Sequence, residues 1–301
     1  MKPATPDHVP VLFDEVLSGL AIVTDGVYVD CTFGRGGHAR AILSRLADGR
    51  VLALDRDPEA AAAATAITDG RFEMVRAPFS QLERVVDERG LMGKVNGILF
   101  DLGVSSPQLE APQRGFSLLR DGPLDMRMDP GAGASAAQWI TQASETEIAD
   151  CLYQYGEERH SRRIARAIVN ARRREPIATT AQLAAIVAAA QPGRERGQHP
   201  ATRVFQAVRI CINDELGELV AGLKQALAAL ISGGRLLVIS FHSLEDRVVK
   251  RFMRRAAGLG ESGGEPRQLR IVGKPQRPGD TEVRNNPRGR SAILRVAEKL
   301  A

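Results

Sequence analysis

The chain has 301 residues, of which 44% are hydrophobic and 26% charged, so it can bury either one large or two smaller hydrophobic cores. Its three cysteines, Cys31, Cys151 and Cys211, form no C-x-x-C pair, and its five histidines are scattered, which excludes a sequence-evident disulfide framework or zinc site. The net charge of +5 favours a polyanionic partner.

The sequence contains neither a secretory signal nor a membrane-spanning segment. Residues 1–14 lack the charged and then apolar pattern of a secretory signal, and the longest apolar run, residues 183–190, is too short to span a bilayer. We therefore expect a cytoplasmic protein with no membrane partner and no bound metal.

The first predicted element is a short helix behind an extended segment. The chain is extended at Pro10 and then carries apolar residues with helical spacing up to Leu20. His8 precedes this helix, where it either lines a cofactor pocket or lies on the surface.

A strand over Val27–Cys31 then breaks into a turn that contains Gly34, Gly36 and Gly37, and a helix follows. Glycines at such a turn let backbone approach a ligand closely. Gly34, Gly36 and Ala39 satisfy the dinucleotide fingerprint G-x-G-x-x-G/A, and Asp55 follows at the end of a second apolar run. A nicotinamide-dependent oxidoreductase is therefore one hypothesis.

Asp30 favours a different ligand. It lies four residues before Gly34, where a carboxylate would repel a pyrophosphate. A cation would instead be stabilised there through charge-assisted hydrogen bonds, and S-adenosylmethionine carries both a sulfonium and an ammonium. The turn resembles the D/E-x-G-x-G-x-G motif of class I methyltransferases, with Thr32 in place of the first glycine.

Strands and helices alternate as far as Asp101, which predicts a parallel, doubly wound α/β sheet. Ligands of such sheets bind at the carboxyl ends of the strands, and Asp30, Asp55, Phe79 and Asp101 are predicted there. Asp55 would accept hydrogen bonds from ribose hydroxyls. Phe79 would either stack on adenine or belong to the core, and Asp57 would cap the next helix.

The alternation stops after Asp101. Residues 102–109 form a Gly/Ser/Pro loop, Gln113–Gly133 is a polar segment typical of an ordered functional loop or lid, and the pattern from 135 to 209 is helical. We predict a discontinuous catalytic domain, 1–109 and 210–301, around an insertion, 110–209, that holds the lid loop and a helical RNA-recognition domain.

The helical part contains seven arginines in sixteen residues without an acid. On one predicted helix, Arg159, Arg163, Arg166 and Arg173 share a face, while Ile164 and Ile168 mark another. This pattern fits either a solvated surface or contacts with nucleic-acid phosphates, and it makes a non-enzymatic RNA-binding module a second alternative.

Motifs along nearly the whole chain resemble the ribosomal RNA small subunit methyltransferase H (MraW) family. They are His8-x-Pro-Val, Asp30-Cys-Thr-Phe-Gly-Arg-Gly-Gly-His38, Asp55-Arg-Asp-Pro, Asp101-Leu-Gly-Val-Ser-Ser-Pro-Gln108, Arg114-Gly-Phe-Ser, Gly122-Pro-Leu-Asp-Met-Arg-Met-Asp, Tyr155-Gly-Glu-Glu-Arg, His199-Pro-Ala-Thr-Arg-x-Phe-Gln-Ala-x-Arg-Ile and Ser240-Phe-His-Ser-Leu-Glu-Asp-Arg.

The resemblance implies an S-adenosylmethionine-dependent enzyme that methylates N4 of a decoding-centre (P-site) cytidine in bacterial 16S rRNA, on the small ribosomal subunit. It implies a class I methyltransferase sheet with an inserted all-helical domain, and it leaves a homodimer open. The family's cofactor contacts fall on Gly36, Gly37, His38, Asp55, Phe79, Asp101 and Gln108.

The candidates for the catalytic groups are Asp101, Ser105 and Ser106. Amino-methyltransferases of DNA bases often carry a D/N/S-P-P-aromatic motif after the fourth strand, and the loop here matches it only in part. We expect hydroxyls or carbonyls of Ser105 and Ser106 to orient the target amine and Asp101 to hold the cofactor's charged end. The alternative is that both serines only cap the loop.

Overall fold

The computed structural model of the chain describes residues 10–191, 199–259 and 266–301, so His8 and part of the loop Gly258–Gly264 lie outside the described residues. The chain divides into two compact units, Met1–Gly103 with Leu216–Ala301, and Val104–Glu215. The second unit thus extends a few residues beyond the predicted insertion at both ends. Val104, Leu109 and Ile212 pack against its core, which explains the difference.

The first unit contains a seven-stranded sheet with the order β3-β2-β1-β4-β5-β7-β6. Neighbours from β3 to β5 are parallel, whereas β7 is antiparallel to both β5 and β6. The strands are β1 (Val27–Asp30), β2 (Arg50–Asp55), β3 (Phe72–Arg76), β4 (Val95–Asp101), β5 (Leu230–Ser240), β6 (Leu269–Gln276) and β7 (Ile293–Lys299).

This topology confirms the predicted class I methyltransferase fold. A dinucleotide-binding fold has the order 3-2-1-4-5-6 in one parallel sheet. Here the antiparallel strand β7 lies between β5 and the edge strand β6.

Helices cover the sheet or build the second unit. Those of the described residues are α1 (Phe13–Leu20), α2 (Gly37–Leu43), α3 (Pro58–Ala64), α4 (Leu82–Asp87), α5 (Ser106–Glu110), α6 (Ala136–Gln142), α7 (Glu145–Gly156), α8 (Ser161–Arg172), α9 (Thr180–Ala190), α10 (Thr202–Asn213), α11 (Glu215–Ala229), α12 (Ser243–Ala256) and α13 (Asp280–Asn285).

Both faces of the sheet are buried. Successive strand residues point to opposite faces, and neighbours such as Ile98 and Leu99 belong to different hydrophobic clusters. The sheet is therefore the middle of three layers, which is why its strands read as continuous apolar runs.

The amphipathic spacing of the sequence predicts a helix over Asp214–Ile231, and this prediction is wrong at its end. Helix α11 stops at Ala229, and Leu230 already pairs with Val95 of β4. Helical spacing of the apolar residues continues through Leu230, so periodicity alone could not place the change. Gly233, with a φ of +80°, and Gly234 then let β5 bulge before its regular pairing resumes at Arg235.

The segment Gln113–Gly133 is part of the core of the second unit. Phe116, Leu124 and Met126 are buried in it, and the Leu124 amide donates to the Ala178 carbonyl at 2.8 Å. Buried Arg114 donates to the carbonyl of Met128 at 2.9 Å. These bonds argue against a separate flap that moves independently of the helices. No helix in the described part of the chain is long and apolar enough to cross a membrane.

Candidate functional site

The glycine turn after β1 accepts no larger residue at two positions. Gly36 has a φ of +79°, and a Cβ atom there would lie 2.6 Å from the Phe33 ring. A Cβ on Gly37 would lie 2.3 Å from the Pro10 ring. The turn therefore presents bare backbone at the start of α2, as a close-fitting ligand requires.

Asp55 at the end of β2 braces this turn. Its Oδ2 accepts the Gly34 N–H at 2.8 Å, and its Oδ1 accepts the Asp57 N–H at 2.9 Å. The Arg56 backbone also forms a hydrogen bond to this carboxylate, and because a carboxylate offers about four acceptor positions, one remains for a ribose hydroxyl. Burial raises the pKa of Asp55. Asp57 caps α3 by accepting from the Glu59 amide at 2.9 Å, as predicted.

A polar cluster lies beside the turn and consists of Asp30 and His38, which are buried, and Asp101, which is half-buried. The His38 ring is 5% exposed, and its Nε2 lies 3.6 Å from Asp101 Oδ2. Thr32 links Asp30 to Asp101. Its amide donates to Asp30 at 3.1 Å, and its hydroxyl accepts the Asp101 N–H at 2.6 Å.

This cluster has unused hydrogen-bonding capacity. Within the described residues, neither ring nitrogen of His38 nor Oδ1 of Asp101 has a hydrogen-bond partner, although all three atoms are buried. Buried polar atoms are normally satisfied, so unpaired ones beside a bare glycine turn indicate a ligand site. Two carboxylates and an imidazole fit a cationic, hydrogen-bonding group.

The electrostatics of Asp30 agree with that fit. The side chain is 1% exposed, and burial raises its pKa to about 6, against the opposing influence of His38. A cation bound nearby would restore the ionised carboxylate.

The sequence pattern predicts one helix over Phe79–Arg89, whereas in the structure Phe79 begins a short 3-10 turn that leads into α4. Its ring meets Phe100 edge-on, with centroids 5.5 Å apart, and a Cβ on Gly222 of α11 would lie 2.9 Å from it. Phe79 is half-buried, so it packs against the core and still offers surface for stacking.

Ser105, Ser106 and Gln108 belong to the second unit. Gln108 and Ser105 form a capping box at α5: the Ser105 amide donates to Gln108 Oε1 at 2.8 Å, and the Ser105 hydroxyl accepts the Gln108 N–H. The Ser105 carbonyl also accepts the Leu109 amide. These bonds favour the capping alternative for Ser105.

The arginine candidates for RNA binding, Arg159, Arg163, Arg166 and Arg173, are all exposed on or beside α8, while Ile164 and Ile168 face the core. Arg166 has an acidic neighbour from outside the arginine-rich segment, because its Nε lies 3.4 Å from Oε1 of Glu145 in α7. Arg172, from the same run, has a structural role: it donates to the carbonyls of Ile140 and Ala143 at the end of α6.

Sequence reasoning did not identify the contributions of Thr32 and Phe33. Thr32 joins two strand ends, and the Phe33 ring occupies the space that a Gly36 side chain would need. For Thr32, the sequence does contain an indication, because a residue with a hydroxyl replaces the first glycine of the methyltransferase motif.

Comparisons with known proteins agree with this architecture. The model of the MraW methylase family matches residues 5–300. The ribosomal RNA small subunit methyltransferase H of Methylococcus capsulatus is 56% identical over 301 residues, which cover 96% of this chain and 100% of that protein.

Solved structures resemble the chain more distantly. An rRNA methylase from Streptococcus thermophilus has a TM-score of 0.45 and 12% identity, covering 98% of this chain and 99% of its own. A SAM-dependent O-methyltransferase from Thermotoga maritima has a TM-score of 0.42 and 11% identity, covering 100% of this chain and 69% of its own.

Proposed function

The chain belongs to the MraW methylase family, and from that premise we propose that it methylates the N4 amine of a P-site cytidine in the decoding centre of bacterial 16S rRNA, with S-adenosylmethionine as the methyl donor. The observation that carries the proposal is the 56% identity to a ribosomal RNA small subunit methyltransferase H, over 96% of this chain and 100% of that protein. A ribosomal substrate would place the protein in the cytoplasm.

The first unit supports the choice of cofactor. When bound, S-adenosylmethionine supplies an electrophilic methyl group on a sulfonium. We assign the Gly36–Gly37 backbone, His38, Asp55, Phe79 and Asp101 to its binding, with Gln108 carried over from the family alone. Asp55 would hold the ribose, and Asp101 with His38 the charged amino-acid end.

Two alternatives fit the structure less well. An oxidoreductase that binds NAD would have to place a pyrophosphate near Asp30, and its sheet would lack the antiparallel β7. A non-enzymatic RNA-binding module has no use for buried, unpaired polar atoms beside a glycine turn.

The chemistry requires positioning above all. The exocyclic amine of cytosine is a weak nucleophile because its lone pair is conjugated with the ring, so the protein must align it with the methyl group. The target base must also leave its stack to enter a pocket. The groups that would hold the amine remain the candidates Asp101, Ser105 and Ser106, of which Asp101 has an unused carboxylate oxygen.

The direct test supplies labelled S-adenosylmethionine and small subunits that lack the modification, and maps the product by mass spectrometry. We expect N4-methylcytidine at one position of 16S rRNA. Methylation of another atom, or of large-subunit RNA only, would contradict the proposal.

Cofactor affinity should depend on pH through Asp30, whose pKa is raised to about 6 by burial. A cationic ligand prefers the ionised carboxylate, so S-adenosylhomocysteine, which keeps the ammonium, should bind more tightly as pH rises from 5 to 7, by up to about tenfold per unit below 6. Stability of the ligand-free protein should change in the opposite direction, because the folded state binds the proton more strongly and loses stability as pH rises toward 6. Titration calorimetry and scanning calorimetry across this pH range measure the affinity and the stability. In Asp30→Asn, the part of either pH dependence that is due to Asp30 should disappear.

The exposed arginines of α8 should contact phosphates and read few bases. Arg163→Glu with Arg166→Glu should weaken binding to small subunits and lower the slope of log K against log salt by about one unit for each lost contact. The effect of Arg166 should be the smaller, because Glu145 already neutralises part of its charge. Filter binding over a salt series measures the slope, and an unchanged slope would show that this face does not bind RNA.

A further inference from the structure

Helix α12 in the first unit carries a cationic stripe that the enzyme's cofactor site does not use. Its members follow the spacing i, i+3, i+4, i+7, which places them on one face of the helix, and all are exposed: Arg247, Lys250, Arg251 and Arg254. Buried residues on the opposite side of α12 belong to the core, among them Val249 and Met253. The stripe is therefore fixed in orientation.

The acids of α12 form contacts elsewhere and do not neutralise Lys250 or Arg251. Glu245 accepts the Phe241 amide at 2.7 Å, and Asp246 forms a two-point ion pair with Arg295, at 2.7 and 3.0 Å. Among the residues that the structure describes, Lys250 and Arg251 have no acidic group within 4 Å. Most charged surfaces mix both signs, so two neighbouring cations without an acidic group, here Lys250 and Arg251, indicate an anionic partner.

A groove beside the stripe adds a site of defined size. It has a volume of about 110 Å³ and is lined by Lys250 and Arg254 from α12, by Lys274 from the edge strand β6, and by apolar side chains that include Met253 and Ile271. Lys274 is exposed and likewise lacks an acidic neighbour within the described ranges. The groove is smaller than the ~300 Å³ of ordinary ligand pockets, and it suits a phosphate group with part of a ribose.

The stripe starts near the candidate site. Helix α12 follows the carboxyl end of β5, and Asp30, Asp55 and Asp101 lie at the carboxyl ends of three other parallel strands. A chain of phosphates along α12 would therefore begin at the carboxyl end of the sheet, where the cofactor is proposed to bind.

We propose that the α12 stripe and the Lys250–Lys274 groove bind consecutive phosphates of the RNA strand that carries the target base. This inference rests on the proposed function and adds a second RNA-binding surface, located in the catalytic unit and separate in sequence from α8. An anionic membrane is a poorer partner, because the apolar side of α12 is buried against the sheet and cannot enter a bilayer.

The test uses the full-length protein with Lys250→Glu and Lys274→Glu together. Losing two phosphate contacts should lower the slope of log K against log salt by about 1.4 to 1.8 and weaken binding to small subunits roughly tenfold or more at moderate salt. The double variant Lys250→Gln with Lys274→Gln should show a smaller loss in the same direction. KM for small subunits should rise in both variants, with kcat at saturation and the Kd of S-adenosylhomocysteine unchanged.

A matched control reverses two exposed lysines elsewhere in the same unit, Lys94 and Lys224, for the same change in net charge. If this control weakens subunit binding as much as the Lys250 and Lys274 variant does, or if that variant binds subunits with the wild-type slope, the inference is wrong. Preferential binding of wild-type protein to anionic vesicles over RNA would also overturn it. Failure of the wild-type protein to methylate small subunits would instead refute the proposed function, so the two failures are distinguishable.

Discussion

Replacing Asp55 by alanine should weaken the binding of S-adenosylhomocysteine at least about a hundredfold. The substitution removes the acceptor for three backbone amides, those of Gly34, Arg56 and Asp57, and the proposed acceptor for the ribose. Hydrogen bonds to a charged group contribute about 1.5 to 3 kcal/mol each, and about 2.7 kcal/mol corresponds to a hundredfold change in affinity. Titration calorimetry gives the dissociation constant directly.

Asp57→Ala is the matched control, since it removes a neighbouring carboxylate that caps α3 and is not assigned to the cofactor. Asp57 accepts the Glu59 amide as the cap of α3, so its loss should cost about 1 kcal/mol of stability and leave cofactor affinity near that of the wild type. Near-wild-type affinity in Asp55→Ala would mean that the cofactor pocket is assigned to the wrong residues.

Asp101→Asn should produce the second large effect, a loss of cofactor affinity of tenfold or more. The carboxylate has an oxygen without a partner among the described residues and lies 3.6 Å from His38, so it can meet the cofactor's charged end. An amide of the same shape lacks the negative charge and turns one acceptor into a donor. Calorimetry should show a weaker dissociation constant, and steady-state kinetics should show a raised KM for the cofactor.

Ser105→Ala separates orientation of the amine from capping of α5. If the hydroxyl orients the amine, kcat should fall while the cofactor dissociation constant stays constant. If it only caps α5, as its bond to the Gln108 amide suggests, kcat should persist and the melting temperature should fall by about 2 to 4 °C. If Asp101→Asn binds the cofactor with wild-type affinity, Asp101 does not hold the cofactor. Asp101 would then replace Ser105 as the candidate for holding the amine.

The sheet was predictable because it depends on local patterns. Apolar runs that alternate with helical segments predict parallel pairing, and Asp30, Asp55 and Asp101 lie at the ends of the observed strands β1, β2 and β4. The end of α11 was not predictable, since Leu230 fits a helix by spacing and a strand by pairing with Val95.

The parts of the site that sequence could not predict depend on contacts across the fold. Thr32 links Asp30 to Asp101 only because β1 and β4 are neighbours in the sheet. Arg172 reads as one more member of a basic run, yet it caps α6 from another helix. The cations of α12, by contrast, have helical spacing that is visible in the sequence, and their significance depends on the acids being engaged elsewhere.

The glycine turn with its polar cluster of Asp30, His38 and Asp101 is the proposed binding site of S-adenosylmethionine. Titration of the purified protein with S-adenosylhomocysteine, and in parallel with NAD and NADP, tests this assignment most directly. We predict micromolar or tighter binding of S-adenosylhomocysteine, lost in Asp55→Ala, and no binding of either dinucleotide. Micromolar binding of NAD or NADP with none of S-adenosylhomocysteine would contradict it.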